Sequence, residues 1–146
     1  MPKIANVVVT TDFSDLSKSA FAWATRLANA MDAQLHVLTI VAEPALYPTL
    51  DMPTIPMPTV DEVVSAAGDK LKVFVRKNID GLEHSPRAEV RVGHAVEQIV
   101  KFAESLDDPI IVMATHGYGA VKHALLGSTS ENVLRHAACP VFSVRS

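Results

Sequence analysis

The chain of 146 residues is poor in cysteine, in clustered basic residues and in long hydrophobic runs. Its one cysteine, Cys139, excludes a disulfide within the chain and favours a reducing compartment. The formal net charge of −3, without a basic run, argues against a nucleic-acid-binding surface. No segment approaches the roughly 18 consecutive apolar residues of a membrane span, and the first residues lack a signal-peptide pattern. We therefore expect a cytoplasmic protein that binds neither nucleic acid nor membrane.

What the chain does contain is typical of a compact globular protein. Apolar residues make up 49% of it and charged residues 20%. The length favours a single domain spanning residues 1–146.

Strand-like and helix-like patterns alternate along the whole sequence. Apolar or alternating runs predict strands at 7–9, 35–41, 88–92, 110–113 and 141–144. Residues at helical spacing predict helices at about 16–31, 60–75, 96–106 and 128–137, with Ser14 as the N-cap of the first. The order βαβαβαβαβ indicates an open five-stranded parallel sheet with helices on both faces, a flavodoxin-like or Rossmann-like α/β fold.

The composition of the strands predicts their places in the sheet. The first and fourth are continuous apolar runs and should be central, whereas the alternating third and the short fifth should be edges. Right-handed crossovers then favour the strand order 3-2-1-4-5. In that order the winding reverses between the first and fourth strands, where ligands of such sheets bind. The segments 10–14 and 114–127 leave the sheet at this point.

A proline-rich crossover loop at about 43–59 holds five of the nine prolines. Dense proline prevents helix or inner-strand structure. The loop is either a variable surface connection or a flap that covers a ligand or binds a partner.

The segment after the fourth strand has the composition of a phosphate site. It contains three glycines, and the helix after it begins with three hydroxyl residues: Gly117, Gly119, Gly127, Ser128, Thr129 and Ser130. Glycines let the backbone approach a ligand, and a helix N-terminus offers unpaired N–H groups to an anion. Ser128 and Glu131 also have the spacing of a capping box, which is the purely structural alternative.

Several known phosphate-binding patterns do not match. A Walker A sequence needs a lysine between glycine and hydroxyl, and a dinucleotide fingerprint needs glycine where Lys122 stands. The loop after the first strand has no glycine for a flavin phosphate. Gly93 follows the third strand, where a receiver domain would carry its phosphoryl-accepting aspartate.

The segments THGYGAVKHALLGS and NVLRHAACPVFSV resemble the universal stress protein family, as does the opening VVVTTDFSDLSKSAFAWA. The family's nucleotide motif is glycine, two residues, glycine, nine residues, glycine, then serine or threonine. Gly117, Gly127 and Ser128 match its second half. The resemblance covers essentially the whole chain.

The resemblance implies an ATP site at the carboxyl end of the sheet. Asp12, next to Thr11, corresponds to an adenine-contacting aspartate, with capping of the first helix as the alternative. The backbone of Val41 would meet the adenine edge. The residues implied to line the ribose and phosphates are Met113, Ala114, Gly117, Gly127, Ser128, Thr129 and Ser130.

Two positions depart from the family pattern. Ala114 replaces the first glycine of the motif, and Thr10 stands where proline is common. A methyl group at 114 is expected to weaken nucleotide binding by crowding the ribose or phosphates.

The resemblance implies a sensor or regulator of the stress response, and two alternatives stay open. One is a slow ATPase with Mg²⁺ at the phosphates, and the other is a nucleotide-free protein-interaction module. ADP and AMP would share the adenine contacts of ATP. The resemblance further implies a homodimer through the fifth strand, Val141 to Val144, whose edge is otherwise unpaired. No residue set indicates a catalytic triad or a metal site.

Overall fold

A computed structural model describes residues 3–43, 57–115 and 128–145. Five strands and four helices alternate within them: β1 (Asn6–Thr10), α1 (Lys18–Met31), β2 (Gln34–Val41), α2 (Val60–Asn78), β3 (Arg87–Val92), α3 (Ala95–Glu104), β4 (Pro109–Ala114), α4 (Ser128–His136) and β5 (Val141–Val144). Most of the proline-rich loop and most of the glycine-containing segment lie outside the described residues.

The strands form one parallel sheet in the order β3-β2-β1-β4-β5, which confirms the predicted fold class and strand order. Val9 of β1 pairs with Val37 on one side and Val112 on the other. From β1 the chain adds β2 and β3 on one side of the sheet, and it then adds β4 and β5 on the other side. The carboxyl ends of β1 and β4 therefore form the crevice of the sheet.

The sheet has a separate apolar core on each face. On the face covered by α1 and α2, Val7, Leu35 and Val112 pack with the buried alanines of α1. On the other face, Val8, Leu38 and Ile111 pack under α3 and α4. Successive strand residues point to opposite faces, so the continuous apolar runs of β1 and β4 supply both cores.

Helix α1 begins later than predicted. Its N-cap is Ser17, and no side-chain hydrogen bond caps it. The Ser14 hydroxyl instead accepts from the backbone N–H of Ser17 at 3.3 Å, within a turn that precedes the helix. The prediction that Ser14 caps α1 is therefore wrong, because the loop makes an additional turn before the helix starts.

Capping also differs from the prediction at α4, and α2 has a side-chain cap for which no prediction was made. At α4, Ser128 occupies the first helical position, and Glu131 accepts from Arg135 at 2.8 Å, which is not the predicted capping box. At α2, the Thr59 hydroxyl accepts from the N–H of Glu62 at 3.2 Å, a contact that the spacing Thr59-x-x-Glu62 favours.

No helix in the described ranges is long and apolar enough to cross a membrane.

Candidate functional site

Buried polar side chains concentrate at the carboxyl edge of the sheet. Among the described residues seven polar side chains are buried, and six of these lie at this edge: Thr11, Ser14, Ser17, Thr39, Thr115 and Ser130. The seventh, His36, lies toward the opposite edge. Buried polar groups require hydrogen-bond partners. Their concentration here distinguishes this edge, as a hydrogen-bonded polar region, from the apolar core.

Hydrogen bonds within the loop between β1 and α1 hold its shape. The Thr11 hydroxyl accepts from the Phe13 N–H at 3.0 Å, and Asp12 Oδ1 accepts from the Ser14 N–H at 2.9 Å. The Ser17 hydroxyl donates to the Ser14 carbonyl at 2.7 Å, so Thr11 is the donor in its 2.8 Å contact with Ser17. The loop therefore presents Asp12 from a framework of buried hydroxyl groups.

Asp12 is exposed at the tip of this framework. Its carboxylate stabilises the turn to Ser14 and does not cap α1, which begins at Lys18. Only Oδ1 takes part in that turn, and the residue as a whole is exposed.

The end of β2 adjoins this loop. The Thr39 hydroxyl donates to the Thr11 carbonyl at 2.9 Å, and the Leu38 carbonyl accepts from the Thr11 N–H at 3.0 Å. The Val41 carbonyl accepts from the Gly93 N–H at 2.9 Å, so the backbone of Val41 faces β3. Since backbone groups of alternate residues point to opposite neighbours, Ile40 faces the β1 side, beyond the end of that strand.

At the end of β4 the side chains of Met113 and Ala114 enter opposite cores. Met113 is buried against the layer under α3 and α4, whereas Ala114 packs against the layer under α1. The Thr115 N–H continues the pairing with β5 by donating to the Val144 carbonyl at 2.9 Å. The Ser130 hydroxyl donates to the Ala114 carbonyl at 2.8 Å, which joins the first turn of α4 to β4.

Three predicted site residues form the first turn of α4. Ser128 is exposed, Thr129 is half-buried and Ser130 is buried. The first N–H groups of an α-helix lack partners within the helix and form an anion-binding position. Gly117 and Gly127, which were predicted to complete the site, lie outside the described residues.

The opposite edge carries a different kind of feature. A groove of about 250 Å³ between α3 and α4 is lined mainly by apolar side chains, including Val100, Leu106 and Cys139. Burial raises the pKa of the Cys139 thiol, so the group stays protonated at neutral pH. In the parts of the chain that the structure covers, no three His, Cys, Asp or Glu side chains are grouped to hold a metal ion.

The sequence interpretation missed four residues of this edge, one of which is Ser17, a serine in the turn before α1. Thr39 was visible only as a polar residue in an apolar strand, and Thr115 as the residue after one. No feature of the sequence pointed to Ile40, because only the folded sheet shows that its backbone faces the β1 side. Val41, Met113 and Ala114 lie at the predicted strand ends.

Comparison with known proteins supports the family resemblance seen in the sequence. The sequence model of the universal stress protein family matches residues 3–145. A universal stress protein of Methanocaldococcus jannaschii is 29% identical over 140 residues, covering 95% of this chain and 81% of that protein. A universal stress protein of Thermus aquaticus is 32% identical over 141 residues, covering 95% of this chain and 97% of that protein.

Solved structures share the fold. A universal stress protein in complex with cAMP superimposes with a TM-score of 0.70 at 23% identity, covering 97% of each chain. A universal stress protein of Archaeoglobus fulgidus in complex with dAMP gives a TM-score of 0.55 at 18% identity, covering 98% of each chain. The family model covers nearly the whole chain and the solved structures share its fold, and the chain belongs to the universal stress protein family.

Proposed function

We propose that this protein binds an adenine nucleotide at the carboxyl edge of its sheet, between the β1–α1 loop and the first turn of α4. The observation that carries the proposal is the concentration of six buried polar side chains at this edge. They lie around the point where the winding of the sheet reverses, which is where ligands of open parallel sheets bind.

The base would be recognised by the β1–α1 loop and β2. Asp12 Oδ1 is engaged by the Ser14 N–H, and the second carboxylate oxygen would accept from the ligand. In an adenine nucleotide the 6-amino group is the hydrogen-bond donor of the base, so the pairing is chemically specific. The backbone of Ile40, rather than that of Val41, faces the β1 side and would meet the base.

The phosphates would lie at the first turn of α4. Ser128 and Thr129 would contribute backbone N–H groups and hydroxyls, together with Gly117 and Gly127 of the motif. Ser130 would contribute through its backbone, because its hydroxyl proton is engaged by Ala114. Met113 and Thr11 would act mainly by fixing the ends of their strands, since both side chains are buried.

Ala114 is compatible with this arrangement. Its methyl group packs against the core layer under α1, rather than standing alone at the sheet edge. The substitution of the family's first glycine therefore places its added carbon among apolar neighbours.

The proposed ligand is ATP, with ADP and AMP sharing the base contacts. The complexes of the two structural relatives with cAMP and dAMP support the adenine nucleotide class. The proposed role is a cytoplasmic sensor or regulator in the stress response, acting as a homodimer through β5. Support for this role comes from family membership and from the outer edge of β5, which pairs with no other strand among the described residues.

The first experiment is to release and identify whatever the purified protein carries. Heat-released material would be analysed by chromatography and mass spectrometry, and the emptied protein titrated with ATP, with and without Mg²⁺, by calorimetry. We expect saturable binding of adenine nucleotide. No response to millimolar ATP would contradict the proposal and favour the nucleotide-free interaction module.

The matched variants are Asp12→Asn and Asp15→Asn. Asparagine at 12 can still accept from the Ser14 N–H, but it replaces the second carboxylate oxygen with an amide donor. A lost charge-assisted hydrogen bond of about 1.5–3 kcal/mol corresponds to at least roughly tenfold weaker ATP binding. Asp15 is exposed and pairs with Lys18 at 2.7 Å, so its variant should bind ATP normally. Equal affinities of the two variants would exclude a role for Asp12 in base recognition.

A further inference from the structure

Phe13 has a backbone conformation that a phenylalanine rarely adopts. Its φ is 67°, in the left-handed region where a Cβ atom is unfavourable and glycine, asparagine or aspartate is usual. It lies directly after Asp12, at the edge of the sheet where ligands of this fold class bind. Contacts elsewhere must hold such a residue in place.

Those contacts come from α2. The Phe13 ring meets the Phe74 ring edge-to-face, with centroids 5.3 Å apart and planes at 87°. The Lys70 ammonium lies 4.2 Å from the Phe13 ring centroid, within the range of a cation–π interaction. Phe74 is itself held by Phe21 of α1, at 5.6 Å between centroids. The ring of Phe13 thus attaches the loop to α2 and, through Phe74, indirectly to α1.

The conformation of Phe13 also determines where the Asp12 carboxylate points. Two hydrogen bonds span this part of the loop, from the Phe13 N–H to Thr11 and from the Ser14 N–H to Asp12 Oδ1. If Phe13 relaxed to a negative φ, the Ser14 N–H would turn away from Oδ1. The carboxylate would then lose the contact that orients it.

We propose that Phe13 is a positioning residue for base recognition: Phe74 and Lys70 clamp its ring, and the clamped loop orients Asp12 toward the ligand. The proposal rests on the proposed adenine site. It goes further by assigning α2, which supplies no predicted ligand contact, to the orientation of the base-reading carboxylate.

The test compares ATP with purine riboside triphosphate, which lacks only the 6-amino group. Phe74→Leu removes the edge-to-face partner and leaves every residue of the loop unchanged in sequence, and Lys70→Met removes the cation from an exposed position. We expect wild-type protein to prefer ATP about tenfold, and Phe74→Leu to reduce that preference at least threefold while affinity for the amine-free analogue stays unchanged. Lys70→Met should have a smaller effect in the same direction, and Phe13→Tyr, which keeps the ring, should retain the preference.

Equal weakening toward both nucleotides in Phe74→Leu, with the preference intact, would overturn the proposal, since that is the result of general destabilisation. Amide exchange measured by NMR on the ligand-free protein tests the same link without a nucleotide. We expect the Ser14 amide to exchange at least tenfold faster in Phe74→Leu, with the Val8 amide of β1 unchanged. If wild-type protein binds no ATP, faster Ser14 exchange supports the clamp while the proposed function fails, and unchanged exchange overturns the clamp.

Discussion

The hydroxyl of Ser130 donates a hydrogen bond to the carbonyl oxygen of Ala114 at 2.8 Å. This contact joins the N-terminal turn of α4 to the end of a central strand. Both ends of the segment 115–129 are therefore fixed relative to each other. The helix terminus is held where an anion at the sheet edge would meet its N–H groups.

Ser130→Ala should lower the free energy of unfolding by about 1 kcal/mol, because a part-buried carbonyl loses its side-chain donor. Urea titration at neutral pH measures this change. The control is Ser128→Ala, two residues earlier and exposed, which should shift stability by less than about 0.5 kcal/mol. Equal effects of the two substitutions would argue that the Ser130 contact does not contribute.

We expect His36 to make the stability of the protein depend on pH. Its Nε2 donates to Asn6 Oδ1 at 2.8 Å, its ring lies 5.6 Å from that of Phe102, and within the described structure Nδ1 has no hydrogen-bond partner. Burial lowers the pKa of His36 below 6.5, and the nearby Arg87 acts in the same direction, while Glu89 opposes them. The unfolded chain therefore takes up the proton more readily than the folded protein.

Stability attributable to neutral His36 should be complete above pH 6.5 and fall as the pH drops below it, by at most about 1.4 kcal/mol per pH unit. Urea midpoints of wild-type protein and His36→Gln at pH 7.5 and 5.5 measure this. Glutamine can still donate to Asn6 but does not titrate, so the variant should lose less stability on acidification. Parallel pH profiles would contradict the assignment.

The outer edge of β5 provides a test of the proposed homodimer. Pro140 and Val144 direct their carbonyls to β4, and alternation along the strand directs the backbone of Val141 and Ser143 away from it. Ser143→Pro should abolish dimers formed through this edge, because proline removes the outward N–H. Lysine at Val144 would be a poor test, since this side chain is buried in the core.

Light scattering after size-exclusion chromatography reports the oligomeric state, with Ser143→Ala as the control that keeps the N–H. Trp23, the only tryptophan, lies 5.6 Å from the Phe142 ring of β5. Its fluorescence therefore provides a second measurement of dimer dissociation. A Ser143→Pro protein that remains dimeric would place the interface elsewhere.

Local patterns in the sequence were sufficient to predict the architecture. Continuous apolar runs in β1 and β4 identified the central strands, because only a strand covered on both faces gains from such a run. The alternating pattern of β3 and the short length of β5 identified the edge strands. Right-handed crossover connections then determined the strand order. The reversal of winding between β1 and β4 then indicated the carboxyl edge as the ligand site, and family resemblance indicated Asp12 and the first turn of α4 within it.

The details of that edge depended on contacts between residues distant in sequence. Several serines could have capped α1, and only the folded loop determined that Ser17 precedes the helix. A left-handed phenylalanine is not expected from local preferences, since Phe13 is held by Phe74 of another helix. Thr39 and Ile40 join the site because β2 lies beside β1 in this register.

Sequence by itself determined which segments form strands and helices and in what order, because those choices follow from local hydrophobic periodicity. Tertiary structure alone decided which hydroxyls, carbonyls and rings meet, because hydrogen bonds and ring contacts require atoms that only folding brings together.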